Sequence, residues 1–175
     1  MSDTIIDRLP LDQLREQFQH AGYRVETLTD PAANVSYLRS ATNGIAFDIR
    51  PGNMVPGDEQ VFVDVALTAV LHVQGEMPLD LVNRWNATRR FARLQFSPPF
   101  LALSLDISLA GGVSPDHVRG QIEIWDQLVQ QLVSFLREEI SALAKPKQAD
   151  DAQMATTTAS ANGHIADAGP ARPVQ

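Results

Sequence analysis

Apolar residues recur along this chain in two alternating rhythms. Leu11, Leu14, Phe18 and Ala21 fall three and four residues apart, which is one face of a helix. Pro10 fits the first turn and Gly22 a left-handed C-cap, so a first helix is expected over residues 10–21. Tyr23 to Leu28 is rich in strand formers and is broken by Asp30-Pro31. Val35 to Arg39 reads as a second strand. Asn43-Gly44 then supplies a tight turn, because that pair accepts positive φ at both central positions. Ile45, Phe47 and Ile49 alternate in a third strand with one face on a core. Pro51 to Asp58 reads as a loop. Val61, Val63, Val65 and Leu67 alternate in a fourth strand, and Phe62 hints that its other face is partly covered. The run Thr68 to Val73 either extends that strand or loops out.

The chain is organised around Pro78 to Ile107, read as helix, strand, turn and strand. Pro78 opens the helix, Asp80 opposes its positive end, and Leu79, Val82 and Trp85 or Asn86 form its stripe. Ala92, Leu94 and Phe96 alternate with Arg93 and Gln95. Ser97-Pro98-Pro99 turns the chain into Leu101, Leu103, Leu105, Ile107 and Leu109, the cleanest alternation present. Gly111-Gly112 allows a reversal, and Ser114-Pro115-Asp116 is a strong helix start.

The last helix is expected to run to about residue 143 on Val118, Ile122, Trp125, Val129, Leu132 and Leu136, continued by Ile140 and Leu143. Roughly 28 residues at about 1.5 Å each span about 42 Å. A domain of this size is about 37 Å across, so the helix end either protrudes or is covered by a partner. Val129, Leu132, Phe135, Leu136 and Ile140 exceed what one sheet contact uses and form a candidate interaction surface. Two outcomes stay open: the stripe packs on its own sheet, or it is a dimer seam. After Lys145 large apolar residues almost vanish. Residues 1–143 are therefore expected to form the folded domain, and 144–175 a disordered tail rich in Ala, Thr and Pro.

Composition narrows the chemistry. The absence of cysteine excludes disulfides, thiolate zinc sites and cysteine nucleophiles. A net charge of -7 and a pI near 4.9 repel a phosphate backbone and anionic lipid, so neither nucleic acid nor membrane is expected as a partner. No apolar run approaches the roughly 18 residues of a membrane span. The acidic N-terminus does not resemble a signal peptide, and a cytoplasmic location is expected. His20, His72, His117 and His164 share no metal-ligand spacing, and no nucleophile-elbow, zincin or dinucleotide motif occurs. Asp64 and Asp106 would form a carboxylate pair only if their strands were neighbours. The expectation is no enzyme, no cofactor and no metal. Asn83, Asn86, Arg89, Arg90 and Arg93, with Arg84, are a candidate polar patch. The arginines suit a carboxylate or phosphate. The competing reading makes the asparagines backbone ligands at the helix-to-strand junction and the arginines helix-end and solvated charges.

The stretches Leu81-Val82-Asn83-Arg84-Trp85-Asn86, Arg90-Phe91-Ala92-Arg93, Leu103-Ser104-Leu105-Asp106 and Gly111-Gly112-Val113-Ser114 carry a resemblance. With Leu11 to Tyr23, they make residues 8–142 resemble the YbjN-domain family, bacterial proteins labelled as sensory transduction regulators. The resemblance implies an α+β fold similar to type III secretion chaperones. Helices flank a twisted antiparallel sheet in the order α-β-β-β-β-α-β-β-α, commonly as a homodimer. It implies a non-enzymatic interaction module, regulatory or chaperone-like, that holds a client protein in extended form. It brings no catalytic residues. The alternative is a small-ligand sensor with a pocket between the sheet and Trp85 or Trp125.

Overall fold

The structure is a computed structural model that describes residues 5–143. The chain divides into a unit over Met1–Glu139 and a second over Ile140–Gln175, of which only 140–143 are described. The tail expected at 144–175 lies outside the described residues.

The elements are β1 (Leu9–Pro10), α1 (Leu11–His20), β2 (Glu26–Thr29), β3 (Ser36–Thr42), β4 (Ile45–Pro51), β5 (Met54–Val55), β6 (Asp58–Phe62), β7 (Asp64–His72), α2 (Leu79–Thr88), β8 (Arg93–Ser97), β9 (Phe100–Ser108) and α3 (Pro115–Leu143). Six strands form one antiparallel sheet in the order β2-β3-β4-β7-β9-β8. Three short strands form a second sheet, β1-β6-β5. The fold is α+β, as the resemblance implied.

Strand alternation sorts the large sheet into two unlike faces. Leu38, Phe47, Ile49, Leu67, Leu94, Leu101, Leu103 and Leu105 point to one side and are buried. Leu14 and Phe18 of α1, Leu81 and Trp85 of α2, and Val118, Ile122, Trp125, Leu128, Val129 and Leu132 of α3 join them in a single core. Aromatic rings knit the layers. Phe47 of β4 meets Trp125 of α3 at 5.4 Å and Phe18 of α1 at 6.4 Å, while Trp85 of α2 meets Phe135 of α3 at 5.5 Å. The opposite face carries Tyr37, Arg39, Asp48, Arg50, Thr68 and Asp106, half-buried or exposed.

Local signals account for the element ends. Asn43 and Gly44 take φ of 51° and 78°, which closes the β3–β4 hairpin. The Ser114 hydroxyl accepts the His117 N–H at 3.2 Å and caps α3. The run Thr68 to His72 extends its strand, pairing with β9 out to His72↔Phe100.

Three expectations need correction. On α2 the buried stripe is Leu81 and Trp85; Leu79, expected on it from its three-residue spacing to Val82, lies in the first turn and is 65% exposed, and Val82 is half-buried. The loop at Pro51–Asp58 contains β5 and the start of β6, a hairpin that breaker residues concealed. The single strand expected through Val61 to Leu67 is two strands. At Val63 the chain leaves one sheet for the other: its N–H donates to the Asn53 carbonyl at 3.0 Å, and its carbonyl accepts the Leu109 N–H at 2.8 Å. The inward phase slips there, so Phe62 is buried in place of Val61 and Val63, while Val65 and Leu67 are buried as the alternation expected.

Gly52 sits tight beside this junction. Its N–H donates to the Asp64 carbonyl at 3.0 Å, and a Cβ there would fall 1.7 Å from Asp64 Oδ1. That carboxylate accepts the Asn53 N–H at 2.8 Å and the Asn53 side-chain amide. Gly52→Ala should expel the Asp64 side chain and lower stability by about 1–3 kcal/mol. Urea denaturation measures it; an unchanged midpoint contradicts the account.

Candidate functional site

Three places gather polar or exposed chemistry: the sheet edges, a clip between a hairpin and α3, and the loop after α2.

The two edges of the large sheet are unlike. At β8, Asn86 of α2 lies alongside Leu94. Its amide nitrogen donates to the Leu94 carbonyl at 2.9 Å, and its amide oxygen accepts the Leu94 N–H at 2.9 Å. The side chain thus fills the place of a neighbouring strand, a recognised way to close an edge. Leu94 itself is buried, so packing and hydrogen bonding fix the same register. At β2 nothing similar occurs. Asp30 donates to the Val35 carbonyl at 2.9 Å, and Leu28 pairs with Tyr37 in the same ladder. Antiparallel alternation then turns the N–H and C=O of Thr27 and Thr29 outward. Among the described residues neither group has a hydrogen-bond partner.

The clip joins the β3–β4 turn to α3. The half-buried Asp126 accepts from the Tyr23 hydroxyl at 3.2 Å, from the Asn43 amide at 3.4 Å and from the Thr42 hydroxyl. Burial, then the Asp126 charge and hydrogen bond, push the Tyr23 phenol up to about 12. A phenol so held keeps its proton at neutral pH and serves as a donor rather than a base. The cleft beside it, about 370 Å³, is lined by His20, Arg119, Glu123 and Gln127 among others.

The loop after α2 holds Arg89, Arg90 and Phe91. Phe91 has φ of 74°, a region bulky side chains avoid at a cost of roughly 1–3 kcal/mol, yet it is 63% exposed. The Arg90 guanidinium lies 5.2 Å from its ring, and that of Arg89 lies 5.6 Å from the Trp85 ring. Arg84 pairs with Glu139, and Arg93 with Asp106 at 2.7 Å. Of the expected polar patch, then, Asn86 holds β8, Arg93 belongs to the polar sheet face, Asn83 is exposed, and only Arg89 and Arg90 remain together. Phe91 was missed because its backbone conformation has no sequence signal; only its place between a helix end and a strand marks it.

The expected apolar surface is likewise divided. Val129 and Leu132 are buried in the core, Phe135 and Leu136 are half-buried against it, and Ile140 is 63% exposed. Asp64 and Asp106 lie on neighbouring strands, but Asp64 is engaged by Asn53 and Asp106 by Arg93. Among the described residues no three His, Asp or Glu side chains are placed to hold a metal. No described helix is long and apolar enough to cross a membrane.

The profile of a family described as "Putative bacterial sensory transduction regulator", YbjN, matches residues 10–138. The chain belongs to the YbjN family. The matched span runs from the entry to α1 to nearly the end of α3, so it takes in the whole of both sheets except Leu9. No curated protein and no solved structure shows a significant match to the chain.

Asn86→Ala should strip two hydrogen bonds from β8 and lower stability by about 1–3 kcal/mol. It should also produce concentration-dependent self-association through the uncovered edge. Asn83→Ala, exposed on the same helix, should stay within about 0.5 kcal/mol. Equal behaviour of the two variants in denaturation and light scattering would remove the edge-closing role. The Tyr23 shift makes a second prediction. Because the folded pKa of about 12 exceeds the ordinary 10.0, its contribution is complete below pH 10 and is lost as pH climbs towards 12. Native protein should lose more stability over that interval than Tyr23→Phe, measured by urea titration at each pH.

Proposed function

We propose that this YbjN-family protein is a non-enzymatic, regulatory or chaperone-like interaction module that adds an extended segment of a partner to β2. The single observation behind this is the asymmetry of the edges: at β8 Asn86 occupies the outward N–H and C=O of Leu94 and leaves only those of Phe96, while at β2 the outward backbone of both Thr27 and Thr29 is without such a cover. Backbone pairing at such an edge supplies affinity without demanding one sequence. The family's description as a sensory transduction regulator fits a protein that acts by contact. The acids that the sequence singled out do not form a reacting pair, since Asp64 is held by Asn53 and Asp106 by Arg93.

A small-ligand sensor is the second reading. What favours it is that the indole N–H groups of Trp85 and Trp125 are buried without an acceptor among the described residues. Neither ring lines the clefts near α1, near α3 or near the α2 loop. The interaction reading therefore carries more of the geometry.

Assembly as a homodimer in the cytoplasm completes the proposal. With Val129 and Leu132 committed to the core, a seam on α3 would draw on Phe135 and Leu136.

Thr27→Pro removes the outward N–H and bars a new strand, whereas Thr27→Val keeps it. Polypeptides retained from a bacterial extract by the native chain should be retained by Thr27→Val and lost with Thr27→Pro. Equal retention by all three overturns the β2 assignment. Light scattering of the full chain should give twice the monomer mass, and a monomer at high micromolar concentration removes the dimer.

A further inference from the structure

The loop after α2 holds two arginines that lack a carboxylate among the described residues and one uncovered aromatic ring. Arg84 and Arg93, on either side, have their carboxylates. Among the described residues Arg89 and Arg90 have none within 4.0 Å, and the Arg89 Nε is buried without an acceptor. Phe91 stands exposed beside them at a positive φ, where glycine would rest without strain. A strained, uncovered aromatic persists only because its surroundings hold it, and such residues gather at contact sites.

Two clefts of about 210 Å³ each border this loop. Both are lined by Arg89 and Gln131, so they meet in one trough between the loop and α3. Gln127, Gln130 and Ser134 supply uncharged donors and acceptors along it, and Leu128 and Ile124 supply an apolar floor; the one acid in the lining, Glu138, belongs to the cleft that lacks Arg90 and Phe91, so carboxylates are favoured at the Arg90 end.

We propose that this trough binds an acidic segment of a partner protein in extended form. Carboxylates of the segment sit on the Arg89 and Arg90 guanidinium groups, whose forked donors match a carboxylate in paired geometry. The glutamine amides take its backbone, and one apolar side chain lies against Phe91. The chain's net charge of -7 opposes such a partner at long range, so the arginines select within the screening length of about 8 Å rather than steer its approach. The proposal rests on the reading of the protein as an interaction module, and adds a second contact surface with its own chemistry.

A displayed library of random short peptides, selected on the full-length chain near physiological salt, tests it. The enriched peptides should be rich in Asp and Glu around an apolar residue. Arg90→Glu and Phe91→Gly should each weaken them roughly tenfold or more, equivalent to about 1.4 kcal/mol. Phe91→Gly should at the same time raise the melting temperature, because it relieves the positive φ; a purely structural role for the ring would lower it. Arg89→Lys should weaken binding less than Arg90→Glu, since charge is kept and the fork is lost. Enriched peptides without acidic character overturn the trough, as do acidic peptides indifferent to Arg90→Glu and Phe91→Gly. Peptides lost only with Thr27→Pro remove the trough and leave the β2 proposal standing. A selection that yields no binder at all counts against both.

Discussion

Everything in this molecule follows from a sheet with a single apolar face. The leucines of β9 and their neighbours can leave water only on one side, and all three helices compete for that side. Burial of apolar side chains at about 1.5–3 kcal/mol each is the largest favourable term available to the chain. α3 takes most of it. Its buried residues run from Val118 to Leu132, with Trp125 wedged against Phe47 near the middle. α1 and α2 then fill what α3 leaves, and their aromatic contacts with Phe47 and Phe135 fix where they can sit.

The opposite face is polar for the complementary reason. Its charges are arranged across strands: Arg39 and Arg50 share Asp48 at 2.7 and 3.2 Å, and Arg50 also reaches Asp30 at 3.1 Å. Backbone N–H groups of Ala32 and Ala33, and then Arg50, hold the Asp30 carboxyl below its usual range. Arg50 lies 4.1 Å over the Tyr37 ring. Exposed pairs of this kind contribute only about 0–1 kcal/mol each. Their effect is on identity more than stability: they keep an open face soluble and leave recognition to edges and loops.

Much of this was legible in the residue rhythms, because they report burial directly. Leu101, Leu103, Leu105 and Ile107 had to share a face, Asn43-Gly44 had to turn, and Ser114-Pro115 had to start a helix. The rhythm failed where backbone bonds, not side-chain burial, set the path. Val63 has the right residue type for a continuous strand, and only its bonds to Asn53 and Leu109 reveal the crossing. The site was less legible for the same reason. Asn86 and Asn83 look alike in sequence, yet one replaces a strand and the other faces water. Arg89 and Arg93 belong to one cluster on paper and to different surfaces in space. Asp126 carried no mark at all, because its partners come from a turn more than eighty residues away.

The crossing at Val63 has a mechanical consequence. One peptide unit on each side of this residue bonds to a different layer, so the small sheet and the far end of β9 cannot move independently. The N-terminal segment adds a second tie nearby, where Ile6 and Val113 exchange 2.8 Å bonds just before α3 begins. A disturbance entering at the small sheet would thus reach the root of the longest helix through the main chain alone, as a lever acts through its fulcrum.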